Sequence, residues 1–267
     1  MDYKKTLTIA GSDPSGGAGI QADIKTMSAL GCYAASAITA VVDENTCGVM
    51  GVMPVPPAFV KGQIKSVMDD IEPDAIKIGM VYSQELVEVI AETLSCYRVR
   101  NIVIDPVMVA TSGDALSNGL IAQAITETLA PMGRLITPNI PEAEVLLGEK
   151  INADNMESAA KELAAKTKTS VLLKAGHLEE NVLTDILYNA ESEETLRLSS
   201  PKVDTRNTHG TGCTLSSAVA SFLAHGHGLN DAVGLAKEYI SNAIKAGAEY
   251  NIGHGHGPVH HFYNLWK

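Results

Sequence analysis

"TLTIAGSDPSGGAGIQADIKTMSAL", Thr6 to Leu30, decides the fold. It opens on an apolar run of strand length, TLTIAG. A loop with four glycines between Gly11 and Asp23 follows, and Ile20 to Leu30 has the length and patterning of a helix. A strand, a tight polar loop and a helix form half of a parallel crossover unit. The same alternation recurs along the chain. The strand candidates are AASAITAV (34–41), AIKIGM (75–80), NIVIDPVM (101–108), RLITPN (134–139) and SVLLKAG (170–176). Helical stretches are expected at 20–30, 57–71, 84–96, 118–129, 141–147 and 156–166. LTDILYN (183–189) and TLRLSS (195–200), joined by the acidic turn AESEE, predict a hairpin at a sheet edge. Two helices, about 213–224 and 230–248, close the chain. The expectation is an α/β protein in three layers, with a mainly parallel central sheet flanked by helices and a small edge hairpin. No repeat or linker breaks the pattern, so residues 1–267 are expected to form a single domain.

Composition narrows the function. The net charge of −11 argues against nucleic acid as a partner, since phosphates are met by basic patches. The four cysteines, Cys32, Cys47, Cys96 and Cys213, make no Cys-x-x-Cys pair and read as reduced thiols. No segment approaches the roughly 20 apolar residues that span a bilayer. The N-terminus lacks the apolar stretch and cleavage site of a signal peptide. A cytoplasmic enzyme acting on a small molecule fits these limits.

In an open parallel sheet, ligands bind beyond the carboxyl ends of the strands. The polar and glycine-rich clusters of this chain follow its strands: GSDPSGGAGI, DENTCGVM, DPVMVATSGD and PNIPEAE. The first is neither a dinucleotide fingerprint nor a Walker loop. Later, THGTGCTLSSA sets Gly210, Thr211, Gly212 and Cys213 at the start of an apolar helix. Helix N-termini expose unpaired N–H groups and the positive end of the dipole, so this turn suits an anion, and a thiol there is expected to ionise more readily. The same residues also suit a plain tight turn with a buried cysteine. Asp105 ends an apolar strand, and Asn139 and Glu142 follow another. Oxygen-bearing side chains beside an anion cradle suggest Mg²⁺, while Asn139 and Glu142 also match a capping box. Lys174 closes a strand at the same rim, where it could steady phosphate oxygens or reach solvent. The tail GHGHGPVHHF carries His254, His256, His260 and His261 without a regular metal-ligand spacing, and reads as a surface or closing loop before it reads as a metal site.

Taken together, LTIAGSDPSGGAGIQADIKT, the ENT and GV around Glu44 to Val49, KIGM, DPVM, TPNIPEAE, LLKAGH, NTHGTGCTLSSA and the histidine-rich tail resemble one family. It is the bifunctional hydroxymethylpyrimidine and phosphomethylpyrimidine kinases of thiamine biosynthesis, within the ribokinase-like superfamily. The resemblance runs from Thr6 to Trp266. It implies a ribokinase-like fold and ATP- and Mg²⁺-dependent phosphorylation of the pyrimidine alcohol, then of its monophosphate. It places the alcohol at Gly11, Ala18 and Asp23, the aminopyrimidine edge at Glu44, and the pocket wall at Met80 and Val107. Asn139, Lys174 and Thr208 would face ATP, Asp105 and Glu142 the metal, and Gly210 to Cys213 would form the anion hole between the substrates. Relatives are often dimers, so a homodimer is the expectation. A pyridoxine or pyridoxal kinase is the nearest enzyme alternative, because that substrate is also a flat ring with a hydroxymethyl arm. A catalytically weak pyrimidine-binding sensor is the alternative from another class.

Overall fold

The computed structural model describes residues 3–108, 119–176 and 180–266. The strands are β1 (Lys4–Ala10), β2 (Cys32–Ile38), β3 (Ala40–Asn45), β4 (Gly48–Pro54), β5 (Ala75–Ile78), β6 (Ile102–Ile104), β7 (Leu135–Ile136), β8 (Ser170–Leu173), β9 (Val182–Asn189) and β10 (Glu194–Pro201). The helices are α1 (Gly19–Ala29), α2 (Pro57–Asp70), α3 (Gln84–Ser95), α4 (Gly119–Ala124), α5 (Ile140–Leu147), α6 (Met156–Thr167), α7 (Thr211–Ala224) and α8 (Leu229–Gly247). Asn118, the expected start of the fourth helix, lies outside the described residues. That helix runs on through a π turn at Ile125–Leu129 and a 3₁₀ turn at Ala130–Met132.

Eight strands make one sheet in the order β10-β9-β8-β7-β6-β5-β1-β2. Pairing is parallel from β2 to β8, and antiparallel at β8–β9 and β9–β10, which is the expected edge hairpin. The period of two sorts the strand side chains between the faces. Leu7, Ile9, Ile76, Ile78, Ile102 and Ile104 pack with α2 to α6. Ala75, Val103, Leu135 and Leu172 pack against α7 and α8. Each fully buried Leu or Ile stabilises the fold by about 1.5–3 kcal/mol, so the strand ends stand on a rigid base. The chain runs outward from β1 to β2 and returns on the other side of β1 as β5. Strand order therefore reverses between β1 and β5, where a ligand crevice opens in such sheets.

One expectation changes. DENTCGVM is not a simple loop after a strand; it is the tip of a second, two-stranded sheet, β3–β4. AASAITAV breaks at Thr39, which turns into the loop region by donating its N–H to the Ala10 carbonyl and its hydroxyl to the Met80 carbonyl. Thr46 and Cys47 make the turn, where the Asn45 side chain accepts from the Cys47 N–H. Glu44 thus projects from a hairpin that stands outside the main sheet. Among the described residues, no helix is long and apolar enough to cross a membrane.

Candidate active site

Gly210 caps α7 with φ +77, a left-handed conformation that favours glycine, and a Cβ there would fall inside the Gly17 carbonyl. The loop after β1 and the start of α7 therefore touch backbone to backbone. Within the first turn of α7, a Cβ on Gly212 would lie 3.3 Å from Lys174 Nζ and 3.5 Å from Asp105 Oδ2. The N-terminus of α7 is wedged between the loop after β1 and the strand ends of β6 and β8. Within the helix, the N–H groups of Gly212 and Cys213 have no carbonyl to donate to.

Lys174 donates to Asp105 Oδ1 at 3.0 Å, where Thr137 also donates, and Ser216 donates to Oδ2. Burial disfavours the charge on Asp105, but the two lysines, Lys174 and Lys77, hold its carboxyl below the usual range. Glu142 and Asn139 form the capping box of α5, with reciprocal bonds of 2.8 and 2.9 Å. The cap and the rim position coexist, because Glu142 is also 5% exposed and faces Lys174 and Asp105. Burial pushes its pKa up to about 7, with Lys174 opposing and Asp105 adding to the shift.

At the other end, Asp13 organises the glycine-rich loop. Its carboxylate accepts from the N–H groups of Ser15, Gly17 and Ala18 and from the Ser15 hydroxyl, and it pairs with His209 Nε2 at 2.9 Å. These bonds hold the carboxyl well below its ordinary pKa despite burial. Glu44 joins them: single ligand atoms of Asp13, Glu44 and His209 lie within 4.8 Å of one another. Asp13 is already committed to N–H and O–H donors, so the trio reads as a hydrogen-bond anchor. Burial, with the neighbouring Asp13 charge, pushes the Glu44 pKa up to about 7. Gly11 and Met80 stand together on the same side, a Cβ on Gly11 falling 3.0 Å from Met80 Cε. Ala18, Val107 and Thr208 are half-buried at the rim.

Two expectations meet a different geometry. Asp23 is 0% exposed, and its oxygens accept from Lys77 Nζ at 2.9 Å, from Thr8 and from Ser217. It is a core anion that holds a buried lysine, and it offers no open face to a ligand. Breaking such a pair by removing one partner costs about 3–5 kcal/mol. The Cys213 thiol is not acidified by the helix N-terminus: burial pushes its pKa up to about 12, with Lys77 opposing and Asp23 and Asp105 adding to the rise. It is a neutral thiol at neutral pH. The tail histidines do not assemble a ligand cluster among the described residues. His261 bonds Thr214, His260 packs against Tyr250 and Trp266, and His256 meets the Arg206 carbonyl.

The sequence reading missed Asp13, His209, Lys77, Thr137, Ser216 and Ser217. Lys77 carried a signal: a lone lysine between isoleucines in a short apolar strand must be either exposed or paired. Asp13, followed by Pro-Ser-Gly-Gly, carried the mark of a side chain that closes a turn on its own backbone.

A rim that gives an anion a helix N-terminus and a lysine, beside two buried carboxylates, is built to handle phosphoryl groups. With this sheet order, the chain is a small-molecule kinase of the ribokinase-like class. Residues 13–260 match the phosphomethylpyrimidine kinase family model, and the chain belongs to that family. It is 46% identical to the hydroxymethylpyrimidine/phosphomethylpyrimidine kinase of Salmonella typhimurium, over 100% of both chains. Among solved structures, an ADP complex of Bacillus subtilis pyridoxal kinase superposes with TM-score 0.91 at 37% identity, covering 100% of both chains. A phosphomethylpyrimidine kinase from Clostridium difficile gives 0.78 at 44% identity, covering 90% of this chain and 99% of that one.

Proposed function

We infer that this chain uses ATP to phosphorylate 4-amino-5-hydroxymethyl-2-methylpyrimidine and then its monophosphate, in thiamine biosynthesis. The observation that carries the reading is the position of the α7 N-terminus. Gly210 abuts Gly17 of the loop that would hold the alcohol, and Gly212 abuts Lys174 and Asp105 on the side that would hold the nucleotide. A phosphoryl group passing between those sides would cross the N–H groups of Gly212 and Cys213, which stabilise charge as it develops. Lys174, Asn139 and Thr208 are assigned to the nucleotide, and Gly11, Ala18, Glu44, Met80 and Val107 to the pyrimidine. Asp23 serves that pocket only through Lys77 and the start of α1.

The residues also fit Mg²⁺. Glu142 and Asp105 are buried hard oxygen donors that face each other and Lys174, and burial together with the neighbouring Asp105 charge raises the proton affinity of Glu142, which a cation would offset. Bound with the nucleotide, the ion would neutralise phosphate charge. We read the chain as one kinase domain acting in the cytoplasm as a homodimer. The outward side of the β3–β4 hairpin, with Val41, Met50 and Met53 exposed, would be the paired face, and sedimentation equilibrium reads the oligomeric state directly.

The central test is single-turnover product analysis with ATP, Mg²⁺ and the pyrimidine alcohol. Monophosphate followed by diphosphate is the expected result, and binding without ATP consumption would return the chain to a sensor role. The pyridoxal kinase resemblance favours a second activity on pyridoxal. Parallel turnover of both alcohols measures it, and only the pyrimidine should proceed to a diphosphate.

Glu44 gives a prediction of its own. A carboxylate accepts from the exocyclic amine of an aminopyrimidine, but donates to a ring nitrogen only when a proton is present on itself or on the ring. With its pKa pushed up to about 7, Glu44 holds that proton below pH 7 and loses it above. KM for the pyrimidine should therefore rise as pH passes from 7 to 9. The Glu44→Gln enzyme, whose amide both donates and accepts without titrating, should show a flat profile over that range. An unchanged slope in the variant would remove the charge argument.

A further inference from the structure

The histidine-rich tail is left without a role by the metal reading, and its contacts point elsewhere. The segment from Gly253 to His261 runs between three of the loops that build the site. On one side it grips the tip of the β3–β4 hairpin. The Gly255 N–H donates to Thr46 Oγ1 at 3.1 Å, and the His256 N–H donates to the Thr46 carbonyl at 2.7 Å. There is no spare room: a Cβ on Gly253 would fall inside the Thr46 side chain, and one on Gly255 inside the Thr46 carbonyl. On the other side the tail grips the approach to the anion cradle. The His209 N–H donates to the Gly257 carbonyl at 3.0 Å, and a Cβ on Gly257 would fall inside the Asn207 amide. Pro258 bridges to His209 and lies 3.1 Å from where a Cβ on Gly17 would stand. Further on, His261 Nε2 meets Thr214 Oγ1 at 3.1 Å, next to Cys213. Burial pushes the His261 pKa down to about 4, so this is a bond to a neutral ring.

The hairpin needs such a grip. Glu44 sits two residues before Thr46 on a two-stranded sheet, and a hairpin alone is marginally stable in water. Among the described residues, no backbone bond to the main sheet holds its tip. The base of the hairpin is tied to the loop after β1 through Ser12 and the Ala40 carbonyl and through the Val42 N–H and Ser12 Oγ, and nearer the tip the Glu44 side chain meets Asp13 of the same loop.

We propose that the Gly253–His261 segment is a positioning strap: through Thr46 at one end and Asn207–His209 at the other, it sets the gap between Glu44 and the Gly210–Cys213 cradle. Its glycines are required by close backbone approach, and it binds the pyrimidine only through the residues it holds. The proposal rests on the assignment of the pyrimidine edge to Glu44.

The test is steady-state kinetics on the full chain with Gly255→Ala and Thr46→Val, and with Glu44→Ala as the reference. Gly255→Ala forces the tail away from the hairpin tip, and Thr46→Val removes one acceptor at nearly constant volume. Because a displacement of about 1 Å can cost about a hundredfold in rate or binding, Gly255→Ala should raise KM for the pyrimidine alcohol by about tenfold or more. Thr46→Val should move KM the same way by less. The affinity for ADP, measured by calorimetry, should stay within about twofold, since a positioning effect on one substrate appears as a selective KM change. A general loss of folding would weaken ADP to the same degree and would overturn the proposal. So would a KM unchanged in both strap variants while Glu44→Ala raises it. If Glu44→Ala itself leaves KM unchanged, the assignment of Glu44 fails first and the strap proposal falls with it.

Discussion

Replacing Cys213 with aspartate is expected to damage the second phosphorylation far more than the first. Cys213 stands at the first turn of α7 with its thiol held neutral by burial, and Asp23 and Asp105 already supply negative charge nearby. For the first transfer the substrate is a neutral alcohol. For the second it is a phosphate monoester, whose second pKa near 6 leaves it largely dianionic at neutral pH. Two unit charges about 4 Å apart interact by about 4 kcal/mol at an effective dielectric of 20. Even a quarter of that repulsion is about a fivefold loss, and the full value approaches a thousandfold. The expected result is a fall in kcat/KM for the monophosphate of about a hundredfold or more, against a loss within about tenfold for the alcohol. Cys213→Ser, neutral and nearly the same size, should keep both steps close together. Equal losses in both steps of the aspartate variant would sink the argument. The sequence suggested a thiol eased toward ionisation, and the tertiary structure reverses this. Tolerance of a second phosphate is the property that the buried, neutral thiol supports.

Gly210→Ala should be the most damaging small substitution in the chain. The added methyl must occupy a left-handed backbone conformation and the space of the Gly17 carbonyl, so the loop after β1 and the N-terminus of α7 are driven apart. Strain of this kind costs about 1–3 kcal/mol for the backbone alone. The chemical effect should be larger, because donors aimed at developing charge lose about 10²–10³ in rate when removed. The expected outcome is a fall in kcat of about a hundredfold or more in both steps, with a lowered melting temperature. Gly234→Ala is the control. That glycine lies inside α8 with no atom within 4 Å of an added Cβ, and alanine there should stabilise the helix by about 0.5–1 kcal/mol with activity intact. A Gly210→Ala enzyme within threefold of wild type would show that the contact of the two loops does not build the cradle.

The fold was legible wherever local pattern and global role agreed. The strand–loop–helix reading at Thr6–Leu30, the short apolar strands and the hairpin at 183–200 all follow from side-chain periodicity, which is fixed by backbone geometry and needs no partner. The second hairpin, β3–β4, was not legible. Its strands are half exposed and hold glycines and an irregular register at Asp43 and Glu44, so the alternation that marks a strand is blurred. The residues around the cradle were found as types, because glycines, acids and a lysine after strands have few other reasons to be there. Their electrostatics were not, since a pKa depends on which charges burial brings together.

The sequence alone determined a mainly parallel α/β sheet, the rim on which its ligand loops stand, and Gly210 to Cys213 as the point to watch. Periodicity and helix-end chemistry are local, and a chain carries them wherever it folds. Only the tertiary structure decided that Asp23 is spent on Lys77, that Asp13 and His209 hold the glycine-rich loop, that Glu44 shares its surroundings with another acid, and that the tail braces the hairpin against the cradle. Each of these pairs residues far apart in the chain, and burial sets both their charge and their partners.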